Sequence, residues 1–170
     1  MRQHSLNDIE LSGYAPGLIG RTTWLHAEYY HDHWGFDVSF EAQVGMELSE
    51  FLRDFDPKRD GFWAAWKGTD FVGCIAIDGS LKDSQGARLR WFIVDPAYQG
   101  QGIGQLLIRH ALLFCRQTGC PKVYLWTFEG LEAARRLYER SGFKLSEAHT
   151  VNQWGQTIVE QRYDLDLIRK

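Results

Sequence analysis

The stretch Val94-Asp95-Pro96-Ala97-Tyr98-Gln99-Gly100-Gln101-Gly102-Ile103-Gly104-Gln105-Leu106-Leu107 joins the end of an apolar run to the start of an apolar helical stripe through alternating glycines. Glycine permits positive φ and close approach to its backbone, and a helix opening near Ile103 offers unpaired amides at the positive end of its dipole. Together these make a seat for a phosphate or pyrophosphate, so the expected ligand is a nucleotide-like anion. Two other phosphate cradles do not fit. A P-loop needs a glycine followed by Lys and Ser or Thr, which is absent here. The dinucleotide fingerprint started at Gly100 needs a third glycine where Gln105 stands, and the runs before it read as antiparallel strands.

Around that loop lies a chain of 170 residues, enough for one domain that buries roughly 70% of its unfolded surface. We read residues 1–170 as that single domain. With 44% hydrophobic and 24% charged residues, disordered and coiled-coil classes are excluded. Lys and Arg number 19 against 22 Asp and Glu, so the charge balance attracts neither nucleic acid nor anionic lipid. Met1 is followed by the polar Arg2-Gln3-His4-Ser5, no signal-peptide core is present and no apolar run is long enough to span a membrane, which predicts a cytoplasmic protein. Cys74, Cys115 and Cys120 lack C-x-x-C spacing and read as buried thiols in a reducing compartment.

Breakers and periodicity divide the chain into eleven elements. Ile9 to Gly13 reads as a strand; Pro16-Gly17 opens a helix to Trp34; Ser39 is a plausible N-cap for a helix to about Asp54. Gly61 to Trp66 and Phe71 to Ile77 form a hairpin about Lys67-Gly68-Thr69-Asp70, and Arg88 to Val94 follows as a third antiparallel strand. Strict alternation would put Leu89, Trp91 and Ile93 on one face and Arg88, Arg90, Phe92 and Val94 on the other. A helix from Ile103 stops at Gly119, Val123 to Phe128 is a strand, Leu131 to Ser141 a short helix, and strands near Phe143 to Val151 and Thr157 to Leu167 close the pattern. The order is β-α-α-β-β-β-α-β-α-β-β.

At this point the residues resemble a family. Gln99-Gly100-Gln101-Gly102-Ile103-Gly104 is similar, at every fixed position, to the [RQ]-x-x-G-x-[GA] signature of the GCN5-related N-acetyltransferases (GNAT family). Val94-Asp95-Pro96, Ala133 to Phe143 and the element order resemble that family too, over nearly the whole chain. More narrowly, Glu28-Tyr29-Tyr30 and His33-Trp34-Gly35-Phe36, with Phe51-Leu52 and Asp56-Pro57, resemble the acetyltransferase half of proteins that fuse a MarR-type DNA-binding domain to such a domain. The DNA-binding half is absent from this sequence.

The resemblance implies an α/β (mixed α+β) GNAT fold, a mostly antiparallel seven-stranded mixed sheet flanked by helices, and an acetyl-CoA-dependent N-acetyltransferase. It implies a pyrophosphate held by Gly100, Gln101, Gly102, Ile103, Gly104 and Gln105, with Gln99 shaping the loop. The pantetheine arm would pair with the backbone of Phe92, Ile93 and Val94, whose amides could also stabilise the developing oxyanion. Direct transfer in a ternary complex then needs a proton donor for the departing thiolate. Leu137-Tyr138-Glu139-Arg140-Ser141-Gly142-Phe143 reproduces the family's L-Y-x-x-x-G-F motif and makes Tyr138 that candidate; as an alternative, Tyr138 is a core residue on the stripe with Leu131, Ala134 and Leu137.

Two departures leave the base unassigned: Leu131 stands where an asparagine often begins the short helix, and Trp126 where some members place a glutamate. Arg88 and Arg90 stay protonated and suit an acidic acceptor, with Arg90 and Trp126 expected against it. His26, Tyr29 and Tyr30 sit near the first helix end that overhangs the acceptor cleft in this fold, and a histidine can deprotonate an ammonium near neutral pH. Glu129 is a further candidate for acceptor binding or water-relayed base work. His31-Asp32-His33 lacks further ligands at metal spacing, so no metal is expected. The partner is therefore a small-molecule or peptide amine, with no nucleic acid or membrane; a homodimer could pair through the final strand near Leu167. The alternative from another class is a noncatalytic acyl-CoA-binding module.

Overall fold

The computed structural model describes residues 6–168; the polar Arg2 to Ser5 segment lies outside them. Seven strands, β1 (Ile9–Ser12), β2 (Gly61–Lys67), β3 (Asp70–Asp78), β4 (Ala87–Val94), β5 (Lys122–Phe128), β6 (Lys144–Gln153) and β7 (Gln156–Asp166), form one sheet in the order β1-β2-β3-β4-β5-β7-β6. Four helices flank it: α1 (Leu18–Trp34), α2 (Val38–Arg53), α3 (Ile103–Gln117) and α4 (Glu132–Arg140). Every neighbouring pair is antiparallel except β4 with β5, which run parallel. The architecture is the mixed, mostly antiparallel seven-stranded sheet that the family resemblance implied. No described helix is long and apolar enough to cross a membrane.

Each face of the sheet buries a separate core. On one, α3 sets Ile103, Leu107, Ile108, Ala111 and Cys115 against Val72, Ile75, Ile77, Leu89 and Val123. On the other, α1 and α2 set Leu18, Leu25, Phe40, Val44 and Leu48 against Ala64, Cys74, Ala76, Trp91 and Ile93. All three cysteines are free and buried.

Three details correct the sequence reading. The α2 N-cap is Asp37, whose carboxylate accepts from the Ser39 amide at 2.9 Å; Ser39 is already inside the helix. Strict alternation in β4 fails, because the pairing with β3 slips between Cys74 and Ala76 and Trp91 takes φ 43°. This bulge flips the pleat, so Leu89, Phe92 and Val94 face the α3 core while Trp91 and Ile93 face α1 and α2. Finally, β7 lies between β5 and β6, so the last strand is paired on both sides and offers no open edge for a dimer.

Candidate active site

The parallel pairing of β4 with β5 covers only Ala87 with Val123, Arg88 with Tyr124 and Leu89 with Leu125. Beyond the bulge the strands separate, and a cavity of about 820 Å³ opens there. At one end stand Gln99 to Gln105 without Gln101; at the other are the α1 and α2 side chains and the β6–β7 turn.

The glycine loop is shaped as its composition predicts. Gly100 and Gly102 hold φ of 75° and 83°, and Gly102 is a left-handed N-cap with no side chain closing the α3 amides. Gln99 donates from its side-chain amide to the Val94 carbonyl at 3.1 Å, folding the loop against β4. A Cβ on Gly104 would sit 3.3 Å from both Leu137 and Phe92, so the missing side chain lets α3, α4 and β4 converge. Open amides on a positive helix end and a split strand edge fit an anionic ligand with an amide-bearing arm. Gln101 lies in the turn itself and does not line the cavity.

One main-chain assignment changes. The Asp95 amide bonds Val72 on β3 at 2.9 Å, and the Ile93 carbonyl crowds Gly73, where an added Cβ would come within 2.5 Å. Alternation therefore turns the polar groups of Ile93 toward β3 and those of Phe92 and Val94 toward the split. Ile93 is thus a wall residue, and the open edge is formed by Phe92 and the amide of Val94, whose carbonyl Gln99 holds.

Tyr138 reaches the cavity from α4 while only 6% exposed, its ring 6.1 Å from Phe92. Burial, followed by Tyr30 and Tyr163, pushes its phenol above the usual range. It stays protonated at neutral pH, as a proton donor must. His26 lines the opposite wall, 6% exposed, with Nδ1 2.8 Å from the Thr22 carbonyl. A carbonyl only accepts, so Nδ1 carries the proton and Nε2 keeps a lone pair; burial lowers the pKa to about 4, holding the ring neutral. Tyr30 stacks on His26 at 6.3 Å, and Tyr29 stacks on His33 at 4.4 Å. Trp126 lines the β5 wall beside His149.

Arg90 lines the cavity as expected, with its guanidinium paired to Glu47 on α2 and to Asp78 at 3.5 Å. Glu129 is exposed outside the cavity, its amide bonded to the Val159 carbonyl, because β5 ends with Phe128 turned inward. His31 and His33 each hold a helix-end carbonyl through Nδ1, at Phe36 and Tyr29, and among the described residues no cluster is arranged to hold a metal ion.

The sequence reading missed the roof of the cleft. Trp154, at φ 53° in the β6–β7 turn, packs 5.0 Å from Phe36 and Phe40 and donates from Nε1 to Gln43 at 2.9 Å. Gln43 donates to Glu47 at 3.0 Å, and Glu47 meets Arg90. The available signals were Gln43 and Glu47 one helical turn apart and a tryptophan beside Gly155 between two strands.

A family model described as the Acetyltransferase (GNAT) family matches residues 21–143, and the chain belongs to that family. It is 32% identical over 144 residues to the N-acetylaspartate synthetase of Xenopus tropicalis, covering 82% of this chain and 52% of that one. To the mycothiol acetyltransferase of Nocardiopsis dassonvillei it is 44% identical over 146 residues, covering 76% and 42%. The chain spans about half the length of these curated relatives. Its fold matches that of an acetyltransferase from Streptococcus agalactiae with a TM-score of 0.77 at 20% identity, over 95% of this chain and 100% of that one. It also matches Salmonella typhimurium yncA, solved with its cofactor acetyl-CoA, at a TM-score of 0.70 and 14% identity over 96% of each chain.

Proposed function

We propose that residues 1–170 form one cytoplasmic N-acetyltransferase domain that moves an acetyl group from acetyl-CoA to a primary amine by direct transfer in a ternary complex. The observation that carries this reading is the single cavity running from the uncapped α3 amides, past the open edge of β4, to the aromatic wall of α1. Family membership supports the donor, and the relative named N-acetylaspartate synthetase supports an amine acceptor.

Bound acetyl-CoA supplies an activated acetyl thioester. The amides of Gly102 to Gln105 hold its pyrophosphate, and the open groups of Phe92 and Val94 align its arm. Tyr138 gives its proton to the thiolate as the C–S bond breaks, and the proton lost by the newly acetylated nitrogen restores the phenol. His26 accepts a hydrogen bond at Nε2 and orients the amine beside Tyr30, without storing a proton near neutral pH.

A noncatalytic acyl-CoA-binding module is the second reading, and one observation favours it. Glu47, Glu132 and Glu160 line the cavity, and each already has a partner: Arg90 and Arg135 pair with the first two, and Glu160 lies 3.1 Å from Nε2 of His149. A thermal melt separates donor binding from its absence: saturating acetyl-CoA raises Tm by roughly 5–10 °C, while NAD and ATP do not. Free-thiol release with an amine panel then separates transfer from mere binding. No acetyl-CoA shift overturns both readings.

A further inference from the structure

Two residues that line the cavity each carry a buried side-chain atom without a hydrogen-bond partner among the described residues: Nε of Arg88 and Oε1 of Gln153. One is a donor and the other an acceptor. A buried donor left unpaired forfeits its hydration without compensation, so such an atom in a cleft marks where a ligand's polar group belongs.

The contrast with Arg90 is informative. Both arginines rise from β4 on the α2 face of the sheet, yet Arg90 holds two carboxylates while Arg88 has none within ion-pair distance among the described residues. Asp78 is spent on Arg90 and Ser80. Burial and the nearby Arg90 charge lower the proton affinity of Arg88, with only partial relief from Tyr124, Glu47 and Asp78. The guanidinium therefore faces the cavity short of an anion at hydrogen-bonding distance.

We propose that Arg88 anchors a carboxylate of the acceptor, so that the amine acetylated here belongs to an amino-carboxylic acid. A guanidinium without an anion partner suits a planar carboxylate, which it meets with two parallel hydrogen bonds. A phosphate dianion would ask for more donors than one guanidinium supplies, because Arg90 is engaged. Trp126, Tyr30 and Phe128, which line the same cavity, cover the acceptor's apolar part. The inference rests on the reading of this cavity as an acetyl-acceptor site.

The test compares amine pairs differing by one carboxylate, phenylalanine with phenethylamine and leucine with isopentylamine, and β-alanine with 2-aminoethylphosphonate as the phosphonate arm. Free-thiol release from acetyl-CoA is the readout, on the full chain and its Arg88→Gln and Arg88→Lys variants. The expected result is kcat/KM at least about 10-fold higher for the carboxylate member of a pair, a gap that closes in Arg88→Gln through KM and partly returns in Arg88→Lys. Equal rates within the wild-type pairs overturn the inference, and so does a gap that persists in Arg88→Gln or a preference for the phosphonate. It also falls if acetyl-CoA raises Tm but no panel member reacts. Loss of the acetyl-CoA melt shift in the wild type is a different failure, that of the acetyl-transfer reading. If the variants do not fold, the wild-type pairs alone decide.

Discussion

The Arg90 guanidinium lies 4.1 Å from the centroid of the Trp91 ring, although the two residues are consecutive in a strand. Neighbours in regular β structure point to opposite faces, so this stacking exists only because the bulge places both side chains on the α2 side. The same irregularity ends the pairing of β4 with β5 and opens the cleft. The Cys74 thiol caps the arrangement by donating to the Trp91 carbonyl at 3.2 Å.

The Arg90–Glu47 pair is largely shielded, at 14% and 34% side-chain exposure. Glu47→Gln should cost about 1–2 kcal/mol, since Arg90 retains Asp78. Urea denaturation measures this, and a cost below about 0.3 kcal/mol would show that the pair does not hold α2 to the sheet.

His26 makes stability depend on pH. Its pKa is lowered to about 4 in the fold against 6.5 in the unfolded chain, so between these values the unfolded state binds more protons. Stability from this group is complete above pH 6.5 and is lost as pH falls toward 4, by about 3 kcal/mol. Denaturation midpoints from pH 7.5 to 4.5 should show a decline that His26→Asn flattens.

Tyr138→Phe tests the proton donor. Transfer should slow by about 10²-fold in kcat while acetyl-CoA still raises Tm. Because the phenol stays protonated above its usual range, the wild-type rate should show no alkaline fall below pH 9.5. Unchanged kcat in the variant would remove Tyr138 from the chemistry.

Gly130 combines φ 106° with a neighbour that forbids a side chain: an added Cβ would lie 2.3 Å from the Trp34 ring. Gly130→Ala should destabilise by about 2–3 kcal/mol and displace the indole from Phe128, which it meets edge-on at 5.0 Å. Calorimetry gives the first effect, and tryptophan fluorescence the second.

The element order and the phosphate-type loop were legible because their causes are local: glycine in the turn, an apolar stripe along α3, and two apolar runs about the Lys67-Gly68-Thr69-Asp70 turn in β2 and β3. The face assignment in β4 was not, since Leu89, Trp91 and Ile93 are all apolar and look alike on either side of a bulge. Asp37 and Ser39 both suit an N-cap, and only the backbone at Asp37, extended at ψ −174°, decides between them. Arg88 and Arg90 are indistinguishable in sequence; their difference comes from Glu47, 43 residues away from Arg90 on another element. Placement of β7 between β5 and β6 leaves no local trace either.

The hydrogen bond from Trp154 to Gln43 joins residues 111 positions apart. During synthesis, α1 and α2 therefore emerge long before the turn that roofs them, and β6 must wait for β7 to connect it to the sheet. Chain closure over such separations is slow. A nascent chain stopped ahead of β6 already contains the glycine loop and α3 yet lacks Gln153, Trp154, Ile158 and Glu160 of the cavity lining, so this end of the cavity closes last in the assembly of the molecule.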